Sequence, residues 1–107
     1  MPNNYSLKMM PQAERDLDGI YAYIAHELTN VQAAERLMEK IEESLIALEA
    51  MPNGCPFSEI PELRNDGYRK CVIENYIALY KVDEKRKLVV VAKIFYGMRD
   101  YNNLGSF

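Results

Sequence analysis

Apolar positions along the chain keep two rhythms. From Pro11 to Met51 they recur every three or four residues, and from Tyr68 to Tyr96 they alternate or run together. The first rhythm predicts helices and the second predicts strands. Ala13, Leu17, Ile20, Tyr21, Ile24 and Leu28 form one helical stripe that begins after Pro11, whose missing N–H suits a first helical position. Thr29-Asn30-Val31-Gln32 has the form of a capping box and predicts a new helix start. Ala34, Leu37, Met38, Ile41, Leu45 and Leu48 then form a second stripe, ended by Met51-Pro52-Asn53-Gly54. So short a connection makes the two helices an antiparallel hairpin.

Ahead of this hairpin, Tyr5, Leu7 and Met9 alternate weakly and predict a short strand over 5–10. Residues 52–67 hold three prolines and two glycines, a density that few regular elements survive. A loop of that length is often functional, and its apolar residues Phe57, Ile60 and Leu63 predict packing along one edge of the fold. Strands follow over 68–74, 76–82 and 88–96, the last two joined by a polar hairpin loop, Asp83 to Lys87. LVVVAKIFY, Leu88 to Tyr96, is the most apolar strand, which predicts a central place between the third strand and the first. The fold class is therefore α+β, in the order β-α-α-β-β-β. A small, mostly antiparallel four-stranded sheet carries the helical hairpin on one face, in a single domain over residues 1–107.

Charge divides the chain. Residues 1–62 carry 4 bases against 11 acids, a net −7; residues 63–107 carry 9 bases against 5 acids, a net +4. The split points to an anionic contact for the C-terminal half, although solvated surface charge produces the same count. Cys55 and Cys71 are far apart in sequence and His26 is the only histidine, a set that does not suit structural zinc. No cofactor or metal is expected. With no apolar run near membrane-spanning length and no basic-then-apolar leader, the expectation is a cytoplasmic protein with free thiols and no membrane partner.

Candidate chemistry gathers in the sheet half. Arg99 follows Gly97 directly after the long strand, where a glycine lets the chain turn sharply. A guanidinium there suits phosphate or carboxylate, and equally a salt bridge at the rim. Arg69 shares a strand face with Cys71 and Ile73, and Lys70 shares the other with Tyr68 and Val72. If Val72 points to the helices, Arg69 lies on the open face. Tyr96 and Tyr101 flank Arg99 and could stack on a base or move a proton, whereas the remaining tyrosines suit half-buried strand positions. His26, at the end of the first helix, suits a dipole-favoured surface site.

The segments YIAHELTNVQAAERLMEKIEESLIALEAMP and GYRKCVIENYIALYKVDEKRKLVVVAKIFYGMRDY, with YIALYKVDE and GMRDY as their most specific parts, resemble the RelE/ParE superfamily of bacterial type II toxins. The resemblance runs from about Tyr5 to Tyr101. It implies a growth-inhibiting, plasmid-stabilising toxin, silenced by an antitoxin encoded beside it whose C-terminal segment wraps the toxin. RelE-like members cut messenger RNA inside the ribosome; ParE-like members poison DNA gyrase without established catalytic residues. Arg69 and Arg99 match two RelE-like basic positions. Cys71 and Ile77 stand where that branch carries lysine and arginine, and Tyr101 would have to replace a later tyrosine. Losing two of four cations weakens stabilisation of charge at phosphorus, so the resemblance favours a ParE-like gyrase inhibitor with no catalysis of its own. The RelE-like alternative would use Arg69, Arg99, Tyr101 and Tyr96, and a third alternative is a non-toxic interaction module. In either toxin reading, Arg69, Lys70, Lys81, Lys93, Arg99 and Tyr101 are the expected target or antitoxin contacts.

Overall fold

A computed structural model describes residues 4–97 and Tyr101. Strand β1 (Ser6–Met9) leads into helix α1 (Pro11–Ala22), which continues as one π-helical turn (Tyr23–Glu27). Helix α2 (Val31–Ala50) and a short helix α3 (Pro61–Asn65) follow, then β2 (Arg69–Ile73), β3 (Tyr76–Asp83) and β4 (Leu88–Tyr96). The sheet order is β1-β4-β3-β2, so β4 is central as its apolar run predicts. β3 pairs antiparallel with both β2 and β4, while β1 runs parallel to β4, making the sheet mixed.

Two local details depart from the sequence reading. Thr29 is not the cap of α2: its φ of +48° is left-handed, outside the extended conformation an N-cap needs. Asn30 takes that role, its Oδ1 accepting from the Ala33 N–H at 3.0 Å. The breaker-rich loop also holds one helical turn, α3, with Pro61 at its start.

Helices α1 and α2 cover one sheet face. Leu37, Ile41, Leu45 and Leu48 from α2 pack with Ala13 of α1 onto Cys71, Ile73, Tyr76, Ala78, Tyr80, Val89, Val91 and Ile94. Each fully buried aliphatic side chain there contributes about 1.5–3 kcal/mol relative to an exposed one. Two carboxylates satisfy amides that β1, short and at the sheet edge, leaves open. Glu49 Oε2 accepts from the Leu7 N–H at 2.7 Å, and Asp16 Oδ2 accepts from the Ile94 N–H at 2.9 Å, beyond the last β1 pair.

A β-bulge in β4 decides what the other face carries. Leu79 pairs with Lys93 but Tyr80 pairs with Val91, leaving Ala92 as the extra residue. Strict alternation from Val89 and Val91 would turn Lys93 into the core. The bulge resets the phase, so Ile94 joins the core and Lys93 goes to the opposite face. That face has a second, smaller core of Ile77, Leu79, Phe95 and Tyr101, covered by Ile60, Leu63 and Tyr68 from the loop region. The loop lies along the β2 edge through an antiparallel bridge between Phe57 and Arg69, where the sequence places it.

Candidate functional site

The face away from α1 and α2 presents lysines over aromatic rings. Lys70 of β2, Leu79 of β3 and Lys93 of β4 form one row across the sheet. Lys81 lies two residues beyond Leu79 on the same face. Each ammonium sits over a ring: Lys70 is 5.2 Å from the Tyr101 centroid, Lys81 is 4.5 Å from Tyr68, and Lys93 is 5.4 Å from Phe95. The three lysines are half-buried. Rings fix their stems while the charged ends remain within reach of solvent. Lys70 is partly neutralised by Glu59, 2.8 Å away. That hydrogen bond holds the Glu59 carboxyl below its ordinary value, against the opposing effect of desolvation.

Tyr101 belongs to the small core of this face and is fully buried. Its hydroxyl shares a hydrogen bond with Ser58 Oγ, which also accepts from the Ile60 N–H at 3.1 Å. Burial pushes the phenol up from its ordinary value, and the Ser58 hydrogen bond offsets part of this. A hydroxyl so enclosed holds the loop to the sheet, and it is poorly placed to exchange a proton with a substrate. Ser58, the one buried polar residue among the described core positions, was missed in the sequence. A serine among prolines carries no signal of burial until its partner is known.

Arg69 and Tyr96 belong to the other side. Val72 is 60 % exposed whereas Cys71 and Ile73 are in the helix-side core, so the condition that would bring Arg69 to the open face is not met. Arg69 instead donates to the Cys55 carbonyl at 2.7 Å, with its guanidinium 3.9 Å from the Phe57 centroid. The arginine therefore fastens the loop. Tyr96 is 64 % exposed and meets Tyr76 edge to face at 5.3 Å. Both tyrosines line a groove of about 740 Å³ with Arg15, Ile20, Tyr23 and Ile24 of the first helical segment. The π turn, with Leu28 N–H reaching back to Tyr23 O at 3.1 Å, swells the helix beside this groove. Gly97 has the positive φ, +79°, expected of the sharp exit from β4. Arg99 lies outside the described residues.

The described geometry thus brings Lys70, Lys81, Lys93 and Tyr101 to one face and separates them from Arg69 and Tyr96. Among the described residues, no cluster of His, Cys, Asp and Glu could hold a metal ion, and no helix is long and apolar enough to cross a membrane.

Comparison with known proteins agrees with this architecture. A chain from the chromosomal ParDE toxin–antitoxin system of P. aeruginosa superposes with a TM-score of 0.73 at 26% identity, covering 90% of this chain and 99% of that one. A chain of the RelBE2 toxin–antitoxin complex from Mycobacterium tuberculosis gives a TM-score of 0.63 at 20% identity, covering 86% of this chain and 90% of that one, a likeness of fold. No curated protein matches the sequence. The family described as the ParE toxin of the type II toxin-antitoxin system, parDE, matches residues 7–101, spanning every helix and strand but for the first residue of β1, and the chain belongs to that family.

Proposed function

We propose that this toxin inhibits DNA gyrase by binding, through the lysine-bearing sheet face, and that a cognate antitoxin silences it. The observation that carries the reading is the burial of Tyr101. In a cleaving enzyme a tyrosine here would exchange a proton with the reacting RNA. In this chain its hydroxyl bonds Ser58 inside the fold, and Arg69 is held on the opposite side. What the face offers is three ring-supported cations suited to an acidic or phosphate-bearing surface. Membership of the ParE family supports the same choice.

The antitoxin is proposed as an amphipathic segment that orders on binding and covers this face. On the other side of the sheet, the groove beside α1, with Tyr23, Leu28 and Tyr96 each more than half exposed around it, offers an apolar contact to the same segment where it wraps past the sheet.

The test combines purified protein with gyrase and supercoiled plasmid, alongside primer extension on translated messages. Inhibited supercoiling or trapped cleavage, with intact messages, is the expected result. Codon-spaced message cuts with unaffected gyrase would establish the ribosome-dependent endoribonuclease instead. Absence of both activities, with harmless overexpression, would identify a non-toxic interaction module.

A further inference from the structure

The loop that covers the sheet edge brings the two cysteines together. Phe57 bridges Arg69 in antiparallel register. Flanking bonds run from Ser58 N–H to Tyr68 O and from Lys70 N–H to Pro56 O, both 2.9 Å. This pattern marks Phe57–Arg69 as a non-hydrogen-bonded pair. The same register, continued two residues along each strand on the same face, sets Cys55 against Cys71. Non-hydrogen-bonded partners have Cα atoms about 4.5 Å apart, within the roughly 4.4–6.8 Å that a disulfide spans. The side chains agree with the register: Cys55 packs against the helix-side core that contains Cys71, and its nearness is one cause of the raised Cys71 thiol. Both are free cysteines, Cys55 half-buried and Cys71 buried.

We propose that Cys55 and Cys71 are a built-in site of reversible covalent modification, closed to an intramolecular disulfide by a small-molecule disulfide. Cys55, the more exposed thiol, attacks first as its thiolate. One sulfur of the reagent bonds to Cys55 and the other leaves as a thiolate, which takes up the proton Cys55 has lost. The Cys71 sulfur then attacks Cys55, forming the internal bond and expelling the second reagent thiol with the second proton. Two cysteine thiols are oxidised, and one reagent disulfide is reduced to two thiols. Cys71 is the slower partner: burial, and then the neighbouring Cys55, push its thiol up to about 12.

Closure would bind the loop covalently to β2. The same loop carries Ser58 and Glu59, the partners of Tyr101 and Lys70, so the bond would stiffen the support of the lysine-bearing face. The inference stands whatever the toxin's target is.

The test incubates the full chain, without denaturant, with oxidised glutathione, then alkylates remaining thiols and maps the peptides by mass spectrometry. The expected product is a monomer lacking two hydrogens, unalkylated, with a Cys55–Cys71 linked peptide. Its melting midpoint should rise by roughly 10 °C, as expected for closing a short loop, and return on reduction. Cys55→Ser, a change at the more exposed position, should form no link and show no redox-dependent midpoint. A glutathione adduct persisting on Cys55, disulfide-linked dimers, or a link formed only in denaturant would overturn the proposal.

Discussion

The two faces of the sheet differ in what holds them. The helix side is a continuous aliphatic core sealed by α1 and α2. The other side has a small core of four buried residues, and lysines stand over its aromatic rings beside a loop fastened there by Ser58 and Glu59. One face is held by apolar area and the other largely by specific polar contacts. The difference teaches where function can reside: a face closed by directional contacts can keep charge half-exposed, which an aliphatic core cannot tolerate.

Substitutions should separate the faces. The largest stability loss is expected for Ile41→Ala in the helix-side core, about 2–5 kcal/mol by denaturant unfolding, from lost burial and the cavity left behind. Next comes the double variant Lys81→Glu with Lys93→Glu. It should keep its melting midpoint within a few degrees yet weaken target or antitoxin binding by about tenfold or more, measured by titration calorimetry or growth inhibition. Tyr101→Phe should cost about 1–2 kcal/mol, because Ser58 loses a buried partner.

The smallest effect concerns pH. The Glu59 carboxyl is held below its ordinary 4.5 by Lys70. Its pairing therefore adds stability above about pH 4.5, which is lost as the pH falls through the lower folded value. Because Glu59 is exposed, the gain is on the order of a few tenths of a kcal/mol. Glu59→Gln should flatten that part of the stability profile in acid unfolding curves.

The elements themselves were legible because each carries its own period. The α2 stripe and the apolar run of β4 placed the hairpin and the central strand, and both stand as read. The facing of β2 was not legible. Its alternating sets, Arg69-Cys71-Ile73 and Tyr68-Lys70-Val72, each mix apolar and basic residues, and only pairing with β3 decides between them. The bulge at Ala92 was hidden for a related reason: a run of apolar residues does not reveal where its phase slips. Asp16 and Glu49 read as solvent-facing helix acids, because nothing in a helical stripe shows that a short neighbouring strand leaves amides for them to satisfy. At the candidate site, the lysines were identified by type and strand position, whereas the confinement of Tyr101 depends on Ser58, far from it in sequence.

The most direct test is gyrase supercoiling measured with three proteins: wild type, Tyr101→Phe, and the Lys81→Glu, Lys93→Glu pair, each at equal folded concentration. The account predicts equal inhibition by the first two and little by the third. Full potency of the lysine variant, or loss of inhibition on removing only the Tyr101 hydroxyl, would contradict it.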